Sequence, residues 1–115
     1  MTNATRETHD EDRMVGDDFE ILSLQQREVG GGAWVVGKLN GHDFDALVFP
    51  EHAETSDYEI GTSRISKLSI RRLADREWVY SWDRGLDIAA KTPEAEAIVS
   101  FLAEGLATLI YGEEA

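Results

Sequence analysis

Strand-forming residues surround a single Asn-Gly pair near the middle of the chain, between positions 33 and 49. An Asn-Gly pair in this setting indicates a two-residue hairpin turn, because a type I′ turn needs positive φ at both central residues. With Asn40-Gly41 as the turn, Gly37 lies opposite Phe44, whose ring can cover the glycine. The pattern therefore predicts a tight antiparallel hairpin with one apolar face.

Other stretches also have the residue types of strands. The run Gly30-Gly31-Gly32 precedes the hairpin, and we interpret it as a flexible connector, because a phosphate-binding glycine loop is followed by a helix and not by a strand. After Pro50, the acidic segment 51–62 predicts a long loop, and loops of this length are often functional or mobile. The further predicted strands cover 19–24, 64–72, 78–82 and 86–90.

Two registers are open between the strands at 64–72 and 78–82. A four-residue loop would place three aromatic side chains on the outer face beside Lys67 and Arg71, which is typical of nucleic-acid binding and disfavoured by the acidic composition. A five-residue loop, 73–77, places them on the inner face, where their burial stabilises the fold. We therefore predict inner positions for Trp78, Tyr80 and Trp82.

The last part of the chain predicts a helix from Thr92-Pro93 to about Tyr111. Threonine caps helix N-termini, proline is favoured at the first helical position, and Gly112 follows as a C-terminal cap. Apolar residues recur with the helical period and predict a buried stripe that includes Leu102, Leu106 and Leu109, but the opposite side, around Phe101, is also apolar. We therefore predict that the helix is either deeply buried or packed against another molecule, with Phe101 as a candidate oligomer contact in a homodimer.

Together these elements predict an α+β fold, with an antiparallel β-sheet meander of five to six strands packed by one C-terminal α-helix. Residues 1–17 are acidic and contain few large apolar groups, so we predict a disordered tail there. Residues 18–115 are predicted to form a single α+β domain.

The charge of the chain is strongly negative and unevenly distributed. The net charge is −12, and residues 1–60 contribute −10 through 14 acids and 4 bases. Such a field repels nucleic acid and attracts a basic protein surface, although salt adaptation or plain solubility also explains it. The chain has no cysteine and no apolar run near its N-terminus, so we expect a cytoplasmic protein without disulfides or membrane contact.

Two sets of polar residues are candidate sites. His42, Asp43 and Asp45 are the basis for an alternative function as a small metal-dependent or hydrolytic enzyme, but strand alternation points His42 away from both carboxylates. We therefore predict no catalytic residue, metal or cofactor. The acids of the hairpin and the following loop are instead predicted to bind a partner: Asp43, Asp45, Glu51, Glu54, Asp57 and Glu59.

Four segments carry a recognisable pattern in a fixed order: 34–41, 44–49, 63–71 and 83–87. Their motifs include Trp-Val-x-Gly-x-x-Asn-Gly, Ser-Arg-Ile-Ser-Lys-Leu and Asp-Arg-Gly-x-Asp. On these motifs the chain resembles a family of small uncharacterised proteins of bacteria and their phages. It departs from them at Leu86, where that family tends to have an aromatic residue.

The resemblance implies an accessory protein encoded by a mobile element, and it transfers no catalytic residue. Combined with the acidity, it leads us to expect a non-enzymatic binding protein. The partner would be a host nucleic-acid-handling complex, which the chain antagonises in the manner of an anti-CRISPR or anti-restriction protein.

Overall fold

Six antiparallel strands follow one another in sequence order across one sheet in the computed structural model of the chain, which describes residues 18–55 and 58–112. One helix, α1 (Pro93–Tyr111), follows the last strand. The predicted α+β meander is confirmed, and the predicted tail, residues 1–17, lies outside the described residues. The strands are β1 (Glu20–Gln26), β2 (Ala33–Leu39), β3 (His42–Val48), β4 (Ile65–Arg72), β5 (Glu77–Asp83) and β6 (Leu86–Ile88).

The central hairpin of β2 and β3 has the predicted turn and register. Asn40 and Gly41 have φ angles of 51° and 72°, which is the left-handed conformation that a type I′ turn requires. Gly37 pairs with Phe44, and a Cβ atom on Gly37 would lie 2.8 Å from the Phe44 ring. The ring therefore occupies the space that a side chain at position 37 would need.

A bulge divides the β4–β5 pair into two parts with different registers. The pairs next to the loop follow the register of the four-residue loop, and the pairs beyond the bulge follow that of the five-residue loop. Ile70 pairs with Tyr80, but the next pair is Arg71 with Trp78, so Val79 is the extra residue of the bulge. Tyr80 is buried on the inner face, as predicted. Trp78 is turned to the outer face and is 46% exposed, so its predicted inner position is wrong.

Helix α1 begins and ends where the sequence predicts. The Thr92 hydroxyl accepts a hydrogen bond from the Ala95 N–H at 2.9 Å, and the Gly112 N–H donates to the Thr108 carbonyl at 2.8 Å. Leu109, which the periodicity places in the buried stripe, is 60% exposed and is a correction to that prediction. The buried residues of the helix are Ala95, Ile98, Leu102, Leu106 and Ala107.

The helix covers one face of the sheet, and strand alternation decides which side chains lie beneath it. The inward side chains of β2, β3 and β4 form one hydrophobic core with α1. Removing this apolar surface from water is the main stabilising contribution to the fold. Fully buried sheet residues include Val35, Leu39, Val48, Ile65, Leu68 and Ile70.

We expect Gly41→Val to lower the free energy of unfolding by more than ~1 kcal/mol, because a β-branched residue is strained at positive φ. A Cβ atom at Gly41 meets nothing within 4 Å, so this cost comes from the backbone conformation and not from a collision. Urea denaturation measures the change, and an unchanged midpoint would show that the turn tolerates the substitution.

Gly105 in α1 supplies the control, because a Cβ atom there also meets nothing within 4 Å and its φ is not positive. Gly105→Ala should raise the free energy of unfolding by ~0.5–1 kcal/mol, since alanine loses less backbone entropy on forming a helix. Opposite signs for the two glycines are the expected result.

Candidate functional site

The face of the sheet opposite α1 is not covered by another described helix or strand, although Leu47 on it is only 3% exposed, and we call it the open face. The registers place Asp43 opposite Arg71 and Leu47 opposite Lys67. Carboxylates, cations and aromatic rings therefore alternate across neighbouring strands. The open face includes Trp34, Val36, Lys38, Asp43, Asp45, Leu47, Lys67, Ser69, Arg71, Trp78, Ser81 and Asp83.

Asp43 and Arg71 form an ion pair on the open face, near the end of the sheet that carries the Asn40-Gly41 turn. The Asp43 carboxylate accepts hydrogen bonds from Arg71 Nη2 at 2.7 Å and from Arg71 Nε at 3.3 Å. The bond to Asp43 raises the pKa of Arg71, and the guanidinium carbon lies 5.4 Å from the centre of the Trp78 ring. The charge of Asp43 is thus compensated largely within the chain.

Asp45 lies on the same face, two residues along β3. Burial raises the pKa of Asp45 above the usual value of 3.8, and the negative charge of Asp43 acts in the same direction. Ionised Asp45 is therefore a partly desolvated carboxylate. Two of the predicted partner-binding acids, Asp43 and Asp45, lie on β3. Asp43 forms an ion pair with Arg71, whereas Asp45 forms none within the described residues.

Lys67 brings a second cation close to an aromatic ring of the open face. Its Nζ atom lies 6.0 Å from the centre of the Trp34 ring and 3.8 Å from the Asp83 carboxylate. The acids of the first sixty residues and the bases of β4 are far apart in the sequence. They instead share one face, because β3 and β4 are hydrogen-bonded neighbours.

His42 faces the core, on the other side of β3 from Asp43 and Asp45. Its side chain is 2% exposed, and Nδ1 donates to the Asn40 carbonyl at 2.7 Å, while Nε2 has no hydrogen-bond partner among the described residues. The structure therefore does not bring these three side chains together. Within 18–55 and 58–112, no group of three or more His, Asp or Glu residues is placed to hold a metal ion.

Glu59 organises the segment between β3 and β4 from the inside and is 4% exposed. One of its carboxylate oxygens accepts the Arg64 N–H at 2.6 Å and lies 3.1 Å from His52 Nδ1, and the other accepts the Ala53 N–H at 2.8 Å. These contacts satisfy donors that the irregular backbone would otherwise leave unpaired. Glu59 is therefore part of the loop's interior and not of an exposed acidic surface.

Two other acids of the same segment differ from Glu59 because they are exposed, and their role in partner binding stays a prediction. Glu51 and Glu54 are both exposed, at the end of the sheet where β3 ends. Asp57 lies outside the described residues. Of the six predicted partner-binding acids, Asp43 and Asp45 lie on the open face, and Glu51 and Glu54 lie in the adjoining loop.

Arg64 ties this segment to the end of α1. It is buried, its φ is 65°, and its guanidinium donates to the Pro50 carbonyl at 2.8 Å and to the Gly112 carbonyl at 3.3 Å. A left-handed conformation costs an arginine about 1–2 kcal/mol, which these contacts offset. Hydrogen bonds therefore fix the β3–β4 segment in two places, through Glu59 in its interior and through Arg64 at its junction with β4.

A pocket of about 490 Å³ opens beside this segment. Antiparallel strands alternate in direction, so the β1–β2 loop, the β3–β4 segment and the β5–β6 turn meet at the same end of the sheet. All three contribute to the wall, together with the apolar side chains of Leu47, Phe49 and Pro50. Sequence reasoning missed this pocket. Its cationic residues are Arg27, Arg64, Lys67 and Arg84.

The glycine run forms the β1–β2 loop at the mouth of the pocket. The Arg27 N–H donates to the Gly32 carbonyl at 2.9 Å, and Arg27 Nε donates to the Gly31 carbonyl at 2.7 Å. Positive φ angles at Gly30, Gly31 and Gly32 allow this tight path. The predicted flexible connector is thus a hairpin loop closed by hydrogen bonds.

Phe101, the candidate oligomer contact, lies against another residue of its own chain. Its ring centre is 5.4 Å from that of Phe19 in an edge-to-face arrangement, and Phe19 stacks on Phe44 at 6.1 Å. These contacts leave Phe101 half-buried without a second subunit. The homodimer through α1 stays a prediction.

The architecture is that of a small α+β protein in which one helix covers one face of a six-stranded meander. The chain belongs to the family described as a domain of unknown function (DUF7678), whose model matches residues 33–107. The match runs from β2 into α1, and it agrees with the resemblance to uncharacterised small proteins. The chain matches no curated protein and no solved structure.

Membrane insertion through a helix finds no support in the described part of the chain. None of its helices has both the length and the apolar character needed to cross a bilayer.

We expect Glu59→Gln to lower the free energy of unfolding by ~1–3 kcal/mol, because an amide has one oxygen for two backbone N–H donors. Glu54→Gln makes the same chemical change at an exposed position of the same loop and should stay within ~0.5 kcal/mol of the wild type. Urea denaturation compares the two variants. Equal stabilities would contradict the structural role of Glu59.

Asp45→Asn should make the protein more stable than the wild type at pH 7. The folded-state pKa of Asp45 is raised, so the folded state binds the proton more tightly, and wild-type stability falls as pH rises from about 3.8 through that pKa. The advantage of the variant should therefore disappear below the unfolded-state value. Urea denaturation across a pH series measures the difference in stability between the variant and the wild type, and Asp87→Asn on β6 is the control. A stability difference that does not change with pH would argue against desolvation of Asp45.

Proposed function

We propose that the chain is a non-enzymatic binding protein that contacts a partner protein through the open face of its sheet. The observation that carries this proposal is the grouping of exposed aromatic and charged side chains on a face that no described element covers. Trp78 is 46% exposed and packs against Arg71, and Trp and Arg are the residue types most enriched at the energetic centres of protein interfaces.

The proposed partner has a basic surface. The net charge of −12 attracts such a surface over a long range, and Asp45 with the exposed Glu51 and Glu54 provides carboxylates at and beside the open face. Partial burial of Asp45 means that its charge is weakly solvated before binding, so pairing with a partner cation would remove less water. Asp43 contributes less, because Arg71 already compensates it.

The biological role that fits this chemistry is antagonism of a host nucleic-acid-handling complex in the cytoplasm, by a phage or other mobile element. An acidic protein can occupy a groove that otherwise holds nucleic acid, as an anti-CRISPR or anti-restriction protein would. The negative charge and the resemblance described above support this role. The enzyme alternative receives less support, since His42 lies on the opposite face of the sheet from Asp43 and Asp45.

Capture experiments with two matched triple variants test the proposal. The full chain is immobilised, host extract is passed over it, and the retained proteins are identified by mass spectrometry. The test variant neutralises three acids at and beside the open face: Asp43→Asn, Asp45→Asn and Glu54→Gln. The control neutralises three exposed acids elsewhere, on β6 and α1: Asp87→Asn, Glu96→Gln and Glu104→Gln.

We expect the captured partner to be basic, to bind the control normally and to associate more slowly with the test variant. Trp78→Ala should weaken the same complex. Association should also slow as the Debye length shrinks from ~10 Å at 0.1 M salt to ~3 Å at 1 M. The proposal would be overturned if neither salt nor the three substitutions of the test variant changed the association rate. Equal losses of binding in both triple variants would also overturn it.

A further inference from the structure

We propose that the pocket at the end of the sheet binds a mononucleotide, a small phosphate ester that carries a flat aromatic base. The pocket of about 490 Å³ falls within the range of ~300–1,000 Å³ that is usual for small-molecule sites. This inference goes beyond the proposed function, because it assigns a small-molecule ligand and does not use Asp43, Asp45 or Trp78. The pocket shares Leu47 and Lys67 with the adjoining end of the open face.

The pocket concentrates positive charge in a strongly acidic protein. Four of the nine Lys and Arg residues within the described ranges line it, although the net charge of the chain is −12. Lys67 and Arg84 share a single carboxylate, that of Asp83, at 3.8 and 3.5 Å. Within 18–55 and 58–112, neither Arg27 nor Arg64 forms an ion pair. The wall therefore has more positive than negative charge available to a phosphate group.

The two acids that the described residues contribute to the pocket wall do not cancel this excess. The Glu59 carboxylate is buried and already accepts hydrogen bonds from the Ala53 and Arg64 N–H groups, besides its contact with His52. Glu51 is exposed, and it is the acid on this wall that a bound phosphate would meet in solvent. Removing the charge of Glu51 should consequently favour an anionic ligand.

Aromatic side chains in the same wall suit a flat base. Phe49 is held in place by the glycine loop, since a Cβ atom on Gly32 would lie 3.0 Å from its ring, and by the Arg27 guanidinium, 5.8 Å from the ring centre. Tyr58 also lines the pocket and is 52% exposed. Stacking on aromatic rings and on arginine is the usual way in which proteins bind bases without reading their edges.

The pocket is also largely formed before any ligand binds. Glu59 fixes the β3–β4 segment from within, Arg64 bonds it to the end of α1, and Arg27 closes the glycine loop. A preformed site loses less conformational freedom on binding than a loop that must first become ordered. These hydrogen bonds therefore favour the binding of a small ligand.

Titration calorimetry with four probes tests the ligand class: AMP, UMP, adenosine and ribose 5-phosphate. AMP and UMP should both bind, and adenosine and ribose 5-phosphate should each bind at least about tenfold more weakly, because each lacks one of the two recognised groups. Adenosine that binds as tightly as AMP would overturn the role of the cations. The absence of heat from both nucleotides up to ~1 mM would overturn the proposal as a whole.

Two arginines in turns provide matched variants for the phosphate. Arg84 and Arg76 have φ angles of 55° and 61°, so Arg84→Gln and Arg76→Gln change the same side chain in similar backbone conformations. Arg84→Gln should weaken AMP binding about tenfold, and Arg76→Gln, at the opposite end of the sheet, should leave it unchanged. Glu51→Gln should tighten binding. Equal losses for the two arginines would show a general charge effect and overturn the assignment.

A variant at Tyr58 and the open-face triple variant complete the test. Tyr58→Leu should weaken AMP binding while leaving ribose 5-phosphate binding unchanged, because it removes a stacking surface and no charge. The triple variant Asp43→Asn, Asp45→Asn and Glu54→Gln should bind AMP at least as well as the wild type. Loss of AMP binding in that triple variant would contradict the separation of the two sites. Partner capture remains a separate readout, so either proposal can fail alone.

Discussion

The turn at Asn40-Gly41 determines which side chains of the sheet are buried. Side chains alternate along a strand with a period of two, so a slip of one residue would exchange the inner and outer faces of β2 and β3. With positive φ at both turn residues, Phe44 lies under the helix and Asp43 lies outside. The pairing of β4 with β3 decides in turn which β4 side chains face the core and which face outward. Arg71 therefore lies beside Asp43 on the outer face.

The sequence predicts the elements whose bounds depend on nearby turn or capping residues. It does not predict the features that depend on packing between distant parts of the chain. Turn chemistry specifies the hairpin, and capping chemistry specifies both ends of α1. The bulge in β5 has no such signal. It allows Val79 and Tyr80, which are adjacent in sequence, both to be buried, and it turns Trp78 outward as a consequence. Burial of both side chains in the core that β4 and β5 form with α1 makes that arrangement favourable.

The candidate site was predicted only in part, for reasons that lie in the loops. An acid in a polar segment is normally solvated, so Glu59 resembled Glu54 in the sequence. A long loop that crosses the end of a sheet must nevertheless find acceptors for its own N–H groups, and a buried carboxylate supplies them. The cations of the pocket carry no linear pattern, because they converge only when alternating strands bring Arg27 and Arg84 to one end.

The two proposed binding modes require opposite charges, although the pocket adjoins one end of the open face and shares Leu47 and Lys67 with it. At physiological salt the Debye length is ~8 Å, so a group on the surface responds mainly to its near neighbours and only weakly to the total charge. An approaching basic protein experiences the sum of many acids over a large area, whereas a small anion in the pocket experiences Arg84, Lys67 and the other bases around it. A protein with a net charge of −12 can thus attract a basic partner and still hold a phosphate, provided that its bases are gathered where the acids are already bonded. Glu59 meets that condition, because its carboxylate is occupied by the loop that forms the pocket wall.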